Sequence, residues 1–330
     1  MWLVSSCAIR GRSHERNGLP CQDKVKSLVE EDFAFCGLAD GAGSASLSHF
    51  GAERALEFCA RYFKDRFDEM SEADDGVLIK REILSGLVDA LSATAQAHGS
   101  PLKELASTLL VVAVRKGIVI ILHIGDGVIG YRKNGQLHIA TSPVNGEYAN
   151  TTVFTTSANA LQQMQLIKAP IKDIDGFVLM SDGTEASCYD KRTRSIARAI
   201  DSLMNAQIKH ASQFFSQMLE DSATSSLKKA TTDDCSLVLM VKDGPTITPY
   251  KRLSSRQKRS LMGLPETGSD IRFNRLDDIV NRLFENNGMP LKLLAKAIDI
   301  KPKHLEKQIK SLLEKGVLMR RGQTLWVTLR

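Results

Sequence analysis

The stretch STLLVVAVRKGIVIILHIGDGVIGYRKNGQLHIAT, residues 107–141, contains three or four apolar runs separated by turn sequences. The turns fall at Lys116-Gly117, Gly125-Asp126-Gly127 and Asn134-Gly135. Asn-Gly between two strand-like runs is a strong β-hairpin signal, because a two-residue loop needs positive φ values that these residues tolerate. Tight hairpins join antiparallel strands, whereas parallel strands need long crossovers. The stretch therefore predicts antiparallel sheets rather than a doubly wound parallel sheet.

Outside this stretch, short apolar runs alternate with longer amphipathic segments. Strands are predicted at residues 2–9, 32–39, 151–156, 176–181 and 235–241. Helices are predicted at residues 48–70, 76–97 and 191–221, where apolar side chains recur at helical spacing. The resulting order of strands, helices, strands, helices and a last strand predicts an α+β protein whose antiparallel sheets are covered by helices.

Composition excludes several classes of protein. The chain has 330 residues, 43% of them hydrophobic and 25% charged, which is typical of an ordinary globular protein. No apolar run approaches the roughly 20 residues of a membrane helix, and the apolar part of residues 1–15 is too short for a signal peptide. We therefore expect a cytoplasmic protein with no membrane partner. The six cysteines form no C-x-x-C pair, which argues against a zinc knuckle and favours reduced thiols.

Charge and composition predict two domains. Residues 1–243 carry 26 Lys and Arg against 30 Asp and Glu, whereas residues 271–330 carry 13 against 6. Residues 244–270 lose apolar periodicity and gain Pro, Gly, Ser and basic side chains, as expected of a linker. The last segment has three short helical patterns followed by a hairpin pattern around Arg321-Gly322, which is the order of a small winged-helix-like domain.

The basic C-terminal segment allows three interpretations. A winged helix can bind DNA through its third helix, with Arg320 and Arg321 near phosphates. It can also dock a protein partner. Alternatively, the acids that interleave with the lysines of KPKHLEKQIKSLLEKG, residues 301–316, indicate a solvated helix face.

Aspartates stand at the ends of several predicted strands. The sequence places them as follows: Asp40 and Asp182 after apolar runs, Asp126 in a Gly-Asp-Gly turn, Asp233 and Asp234 just before a strand, and Asp23 after the first strand. A single Asp-Gly is usually only a turn. A set of carboxylates converging at one sheet edge would repel one another unless cations were bound. Oxygen ligands without His or Cys suit Mg²⁺ or Mn²⁺.

The ordered series of these motifs resembles the metal-dependent Ser/Thr protein phosphatases of type 2C, particularly their compact bacterial branch. The matching stretches are CQD, LADGAGSA, STLLVVAV, HIGDGVIGY, VLMSDG and DDCSLVLM, which span about residues 1–243. The resemblance implies a four-layer α-β-β-α sandwich of two antiparallel sheets. It also implies hydrolysis of phosphoserine and phosphothreonine in proteins by a metal-activated water, with a phosphorylated protein as the substrate.

The resemblance also assigns roles to individual residues. It implies that Asp40 bridges two metal ions and that Gly41 offers its backbone carbonyl to one of them. Asp182 and Asp233 correspond to the remaining direct ligands and complete the catalytic set with Asp40. Asp23 corresponds to the acid that holds metal-bound water.

A third ion is implied as well. Asp126 corresponds to the ligand that forms, with Asp182, a third and weaker metal site, so the expected cofactors are two or three Mn²⁺ or Mg²⁺ ions. Two such ions clamp phosphate oxygens and generate a hydroxide nucleophile, so that no activated Cys or Ser is needed. Asp234 stands where the family often has Asn and is expected to play a supporting part.

The chain departs from the family pattern at the phosphate contact. The family usually has an Arg five residues before the acid corresponding to Asp23, and here that position is Gly18. A displaced cation could replace it, since a guanidinium binds phosphate bidentately. The candidates for this contact are Arg16 or His14, with Arg10 and Arg12 nearby, and a solvated loop remains the alternative for each.

Two further functions follow from these departures. Without the usual Arg, the chain could be a pseudophosphatase that binds phosphorylated partners without turnover. With its basic C-terminal segment, it could be a DNA-binding regulator. In residues 141–154, Glu147 and Asn150 either border the substrate cleft or cap a loop.

Overall fold

A computed structural model describes residues 1–143, 152–209, 212–243, 254–265, 270–286, 288–314 and 317–327. The chain folds into two compact units, Met1–Lys242 and Asp243–Arg330, and each is described by itself. None of the helices in these ranges is long and apolar enough to cross a bilayer.

The first large sheet of the N-terminal unit has five strands. In spatial order they are β1 (Trp2–Ile9), β12 (Cys235–Lys242), β9 (Ile174–Met180), β6 (Val128–Lys133) and β7 (Gln136–Thr141). Every neighbouring pair is antiparallel. The predicted hairpin between β6 and β7 is confirmed, and Asn134 and Gly135 adopt the positive φ values of 53° and 73° that this turn requires.

The second large sheet is also five-stranded and antiparallel. Its order is β2 (Lys24–Val29), β3 (Phe33–Ala39), β4 (Leu109–Arg115), β5 (Ile118–Ile124) and β8 (Gln165–Pro170). The predicted turn at Lys116-Gly117 joins β4 to β5, and both of its residues have positive φ. A short hairpin, β10 (Tyr189–Asp190) with β11 (Ser195–Ile196), stands apart from both sheets.

Alternating side chains of the strands divide the core into layers. On β3, Phe33 and Phe35 face the helices that cover the second sheet. Ala34, Cys36 and Leu38 belong to a separate cluster between the sheets, together with apolar residues of β9 and β12. Because β3 is buried on both faces, its sequence is apolar without interruption. The two sheets therefore pack face to face.

Helices cover the outer faces of both sheets. The helices of the N-terminal unit are α1 (Arg12–Arg16), α2 (Ser48–Glu72), α3 (Gly76–Ala97), α4 (Ala160–Gln163), α5 (Asp182–Cys188), α6 (Arg198–Lys209), α7 (Ser212–Ser222) and α8 (Lys228–Ala230). The apolar faces of α2 and α3 pack on the second sheet. On the first sheet, α6 contacts β12 and α7 contacts β1. The predicted α+β class with two antiparallel sheets and covering helices is confirmed.

Two predictions of elements need correction, and an edge strand was missed. The strand expected at residues 151–156 is wrong, because residues 152–156 form loop and turn, and Gln165–Pro170 supplies the edge strand β8 instead. The helix expected from residue 191 begins only at Arg198, since the β10–β11 hairpin occupies the start of that range. Strand β2 was not predicted, because its sequence KVKSLV is half polar and half exposed.

All six cysteine thiols are free, and five of them are buried while Cys21 is partly exposed. Burial raises the pKa of every one of these thiols. For Cys7 and Cys235 the pKa rises to about 12. At neutral pH these side chains are therefore protonated, apolar members of the core.

The C-terminal unit has its own core. Its helices are α9 (Ser255–Met262), α10 (Asp270–Glu285), α11 (Leu291–Ala297) and α12 (Pro302–Glu314). Its strands β13 (Met289–Pro290), β15 (Thr324–Val327) and β14 (Leu318–Arg321) form one sheet in that order. Helix α9 lies within the stretch predicted to be a linker, and Met262 is buried in the core of this unit. Residues 244–253 and 266–269 of that stretch lie outside the described ranges.

Candidate active site

Three strands of the first sheet bring acidic residues to one edge. Met180, the last residue of β9, pairs with Val128 at the start of β6 and with Leu237 near the start of β12. The acids next to these strand ends are Asp126, Asp182, Asp233 and Asp234. Because the three strands are adjacent and antiparallel, these acids lie at the same edge of the sheet.

The second sheet contributes two more acids. Lys24, which begins β2, pairs with Ala39, which ends β3, so Asp23 and Asp40 stand at neighbouring strand ends. Thr108 fixes the backbone of Asp40: its amide donates to the Asp40 carbonyl at 2.8 Å, and its Oγ1 accepts from the Asp40 amide at 2.9 Å. The position of Asp40 is therefore set by the backbone and side chain of Thr108, the residue just before β4.

The turn that joins the two sheets carries Asp126. Gly125 has a φ of 115°, which favours glycine, and a Cβ there would lie 2.6 Å from the Thr108 side chain. His123 Nε2 lies 3.1 Å from the Gly125 carbonyl, to which it can only donate. Thr152 Oγ1 donates to Asp126 Oδ2 at 2.5 Å. The turn is thus held from both sides.

Asp23 is a buried carboxyl group that directly precedes β2 and contacts β12 of the other sheet. It is 1% exposed, and Ser236 Oγ donates to its Oδ2 at 2.6 Å. Burial raises the pKa of Asp23 to about 7; the Ser236 hydrogen bond opposes this rise, and the charge of Asp234 adds to it. Asp23 therefore resists ionisation in the absence of a cation.

Asp40 and Asp182 are similarly affected. Burial raises the pKa of Asp40 well above its usual range, and the charges of Asp23 and Asp182 raise it further. Burial also raises the pKa of Asp182, with contributions from Asp126 and Asp233. These carboxyl groups are close enough for each to oppose the ionisation of the next.

Helix α5 starts inside this cluster, with Asp182 as its first residue. The preceding Ser181 is tied to β12, since its Oγ accepts from the Ser236 amide at 3.0 Å. At Gly183 an added Cβ would lie 2.0 Å from the Asp234 carbonyl oxygen, so no side chain fits there. The Asp-Gly pair thus combines an acid at the cluster with a close approach of two backbones.

Asp234 faces away from solvent and binds backbone groups. It is 2% exposed, and its carboxylate accepts from the amides of Gly11 and Gln22, each at 2.6 Å. His14 Nδ1 lies 2.9 Å from Asp234 Oδ1. Asp233, by contrast, is exposed. The expected supporting part of Asp234 is consistent with these contacts, which hold the loop after β1 against β12.

The two candidate phosphate contacts are placed differently. His14 is half-buried beside Asp234 and hence close to the acidic cluster. Arg16 is exposed, and its Nε donates to the Arg12 carbonyl of its own helix at 3.3 Å. Glu147 and Asn150 lie outside the described residues.

Gly41 follows Asp40 in a tightly packed position. Its amide donates to the Gln22 carbonyl at 3.3 Å, and it forms an isolated β-bridge with Ser107. An added Cβ would lie 2.8 Å from the Ser48 side chain. The backbone at Gly41 is therefore fixed next to Asp40.

Sequence reasoning missed one acid and its partner. Glu185 lies one helical turn after Asp182 and is 2% exposed. Lys191, in the loop of the β10–β11 hairpin, places Nζ 3.0 Å from Glu185 Oε1. Burial raises the pKa of Glu185, Lys191 lowers it, and Asp126 and Asp182 add to the rise. The i, i+3 spacing in SDGTE was the available signal, but nothing in the sequence indicates that Lys191 reaches back to it.

The donors suit a divalent cation. Within the described ranges, no three His, Cys, Asp or Glu side chains already surround one metal position. Two carboxylate oxygens, Asp23 Oδ1 and Asp182 Oδ1, are buried without a hydrogen-bond partner. An all-oxygen set of this kind fits Mg²⁺ or Mn²⁺. A bound cation would also relieve the repulsion that raises the carboxyl pKa values.

Comparison with solved structures shows the same fold. A bacterial serine phosphatase superposes with a TM-score of 0.50 at 17% identity, covering 74% of this chain and 99% of that one. Serine/threonine phosphatase Stp1 from Staphylococcus aureus gives a TM-score of 0.50 at 16% identity, with coverages of 74% and 96%. At such low identity the likeness establishes the fold alone.

Sequence comparison establishes the family. Serine/threonine-protein phosphatase 3 of Escherichia coli (strain K12) is 27% identical over 169 residues. That match covers 50% of this chain and 66% of the relative, so the chain spans a little under two thirds of the relative's length. The family model for protein phosphatase 2C matches residues 10–244, which is more than half of the chain. The chain belongs to the protein phosphatase 2C family.

Proposed function

We propose that the N-terminal unit hydrolyses phosphoserine and phosphothreonine in proteins and depends on Mn²⁺ or Mg²⁺. The observation that carries this proposal is the convergence of carboxyl groups with raised pKa values at one edge of the two sheets. The raised pKa of every thiol argues against a covalent cysteine mechanism, because the thiolate is the nucleophilic form.

The roles follow the placement of each acid. We assign Asp40, Asp182 and Asp233 as direct ligands and the Gly41 carbonyl as a further one. When bound, the ions stabilise charge on the transferring phosphoryl group and lower the pKa of the attacking water. The Oδ2 atom of Asp23 accepts a hydrogen bond from Ser236, and its Oδ1 atom is available to accept one from water.

Electrostatic interactions among Asp126, Asp182 and Glu185 support a third metal site. Asp126 acts on the pKa of Asp182, and both act on the pKa of Glu185. We assign Asp126 and Asp182 as ligands of a third ion. Glu185 adds a buried negative charge beside them, and Lys191 balances that charge.

The test compares metal dependence in two matched variants. Asp40→Asn should abolish Mn²⁺-dependent hydrolysis of a phosphopeptide while the circular dichroism spectrum stays unchanged, because the neutral amide keeps the shape of the side chain but loses the negative charge that attracts a divalent cation. Asp89→Asn removes an exposed acid of α3 and should keep full activity. Hydrolysis that survives a chelator, or an Asp40→Asn variant with wild-type kcat at saturating Mn²⁺, would overturn the assignment.

A pseudophosphatase is the second candidate for the same site. The observation that favours it is Gly18 in place of the family's phosphate-binding Arg. The same assay separates the two, since a pseudophosphatase would bind a phosphopeptide in the presence of Mn²⁺ without releasing phosphate.

For the C-terminal unit we propose a winged-helix-like domain that docks protein partners. Its support is the set of helices α10, α11 and α12 together with a three-stranded sheet, β13-β15-β14. Helix α12 buries Leu305, Ile309 and Leu312 and exposes charges on its other faces. Acids interleave with those cations, as in the pair of Arg320 with Glu306 at 3.1 Å. This mixed pattern favours a protein over DNA, and salt-sensitive DNA binding by the full chain would argue for the alternative regulator.

A further inference from the structure

A groove of about 530 Å³ lies between the edge strand β2 and helix α2, outside the acidic site. Strand β2 lines it with Lys26 and Leu28, which point to the same face because they are two residues apart. Helix α2 lines it with Arg54, Phe58 and Arg61, which fall on one face at helical spacing. The groove is therefore lined by apolar side chains, Leu28 and Phe58, next to several basic ones.

Two of its cations are unpaired. Arg54 pairs with Glu57 at 3.3 Å, and Lys64, another lining residue, pairs with a glutamate outside the groove at 2.6 Å. Lys26 and Arg61 are exposed and have no ion-pair partner in the part of the chain that the structure describes. The lining as a whole carries four cations (Lys26, Arg54, Arg61 and Lys64) against two acids, Glu57 and Asp65, so its net charge is positive and complementary to a negatively charged ligand.

The strand beside the groove has a free edge. In the sheet, β2 pairs with β3 on one side, and no strand of the described residues pairs with its other side. Backbone amides and carbonyls along that side can accept an added extended segment, as in β-strand addition. Backbone hydrogen bonds of this kind select a polypeptide rather than a nucleic acid.

The groove is also connected to the acidic site. Strand β2 begins at Lys24, immediately after Asp23. At about 3.3 Å per residue, Lys26 lies roughly 10 Å along the strand from Asp23. A peptide segment bound along β2 therefore needs to extend only a few residues beyond Lys26 to reach the acidic cluster.

We propose that this groove binds an extended acidic segment of the protein substrate, which adds to the free edge of β2. This inference rests on the proposed phosphatase function, since it names the substrate class: phosphoproteins with acidic residues a few positions from the phosphorylated residue. Lys26 and Arg61 contact the acidic side chains, and Leu28 and Phe58 cover the apolar parts of the segment.

Binding is measured first without turnover. A fluorescently labelled, unphosphorylated peptide rich in Glu should bind the full chain at low salt and weaken as salt is raised. The double variant Lys26→Glu/Arg61→Glu should weaken this binding by about tenfold or more, since like charges then face each other. Arg81→Glu reverses an exposed charge on α3, away from the groove, and should leave binding unchanged.

Turnover is measured second. Arg61→Glu should raise KM for a phosphopeptide with acidic flanking residues, leave KM for one with neutral flanks unchanged, and leave hydrolysis of an aryl phosphate unchanged. The peptide-binding assay tests binding in the groove even if the chain has no phosphatase activity. Failure of the groove proposal can therefore be distinguished from failure of the proposed function. Absence of peptide binding, an equal effect of Arg81→Glu, or groove-dependent binding of an oligonucleotide in place of the peptide would overturn the inference.

Discussion

Asp234 is buried and accepts hydrogen bonds from two backbone amides, whereas Asp233, one residue earlier, is exposed. Both stand in the sequence motif DDCSLVLM, but Asp234 binds the amides of two distant loop residues, whereas the exposed Asp233 accepts the amide of the neighbouring Asp234 at 2.9 Å. Stability measurements can therefore separate the two acids independently of activity.

We expect Asp234→Asn to lower the free energy of unfolding by several kcal/mol. Two charge-assisted backbone hydrogen bonds are weakened, each worth roughly 1.5–3 kcal/mol, and the amide NH₂ faces a backbone donor. Urea unfolding of the metal-free protein measures the change. Asp233→Asn is the matched control and should change stability by less than about 0.5 kcal/mol, as exposed substitutions usually do; equal losses would remove the distinction.

Lys191 is a further candidate for the missing phosphate contact. Its ammonium lies at Glu185 and within the electrostatic influence of Asp126 and Asp182. An ammonium has three donors, so its pair with Glu185 leaves donors available for a phosphate oxygen. Arg16 has no such contact with a site acid among the bonds described for it, since its Nε binds the Arg12 carbonyl.

We expect Lys191→Ala to raise KM for a phosphopeptide by about tenfold, because one charge-assisted contact is worth roughly 1.5–3 kcal/mol. Lys191→Arg should keep most of the affinity, and Lys172→Ala, at an exposed position, should have no effect. Arg16→Ala is measured in parallel under the same Mn²⁺ concentration. A larger rise in KM for Arg16→Ala would return the role to the residue favoured by sequence.

The acids of the site could be predicted because each has a recognisable sequence signal in its immediate neighbours. Asp40 and Asp182 each end an apolar run and precede Gly, and Asp126 stands between two glycines. Lys191 could not be found in this way, because its contact depends on how the β10–β11 hairpin folds back onto α5. The ligand roles themselves stay predictions until metal binding is measured.

At the scale of elements, β5 links the core to the site. The buried His123 lies near the end of β5, and its ring donates a hydrogen bond to the carbonyl of Gly125, the residue before Asp126. Burial lowers the pKa of His123 from 6.5 to about 4. Below pH 6.5 the unfolded chain binds a proton that the folded chain rejects, so folding becomes less favourable as pH falls towards 4.

We expect His123 to remove about 3 kcal/mol of stability between pH 7 and pH 4, the free energy equivalent of its lowered pKa. Urea unfolding at a series of pH values, compared between wild type and His123→Gln, isolates this contribution. Relative to wild type, the variant should lose about 3 kcal/mol less over the same range, because the buried carboxyls with raised pKa values contribute equally to both proteins. Parallel curves for the two proteins would mean that other groups control the acid sensitivity.

Element prediction succeeded where periodicity was strong and failed at edges. The expected helix at residues 76–97 matches Gly76–Ala97, because its apolar face is continuous. Edge strands β2 and β8 are half exposed and mix polar with apolar residues, so they lack a clear pattern. The false strand at 151–156 came from β-branched residues in a loop, where propensity is overridden by tertiary structure.

At the scale of the whole molecule, the proposed ligands all lie in the unit Met1–Lys242. That unit has its own cores, so residues 1–243 should fold alone. We expect this fragment to retain Mn²⁺-dependent hydrolysis of an aryl phosphate and to lose activity on the natural phosphoprotein. Both activities are compared with the full chain at the same Mn²⁺ concentration.

Two outcomes of that comparison would change the interpretation. Equal losses on both substrates would mean that the C-terminal unit supports the catalytic fold, against the docking proposal. Full activity on both would leave the C-terminal unit without a part in substrate choice. The difference in charge between the two parts of the chain led to the predicted boundary at residue 243. Helix α9 was not predicted within the expected linker, because its sequence SRQKRSLM is mostly polar and basic.

The protonated thiols of the core have a practical consequence for handling and inhibition. Alkylating agents and peroxide attack the thiolate, and a cysteine with a pKa of about 12 has almost none at neutral pH. We expect iodoacetamide or dilute peroxide to leave the activity of the folded protein intact, with mass spectrometry finding modification first at the partly exposed Cys21. With the proposed phosphatase function, this protein would continue to remove phosphate during oxidative stress, when enzymes that depend on a reactive cysteine are switched off.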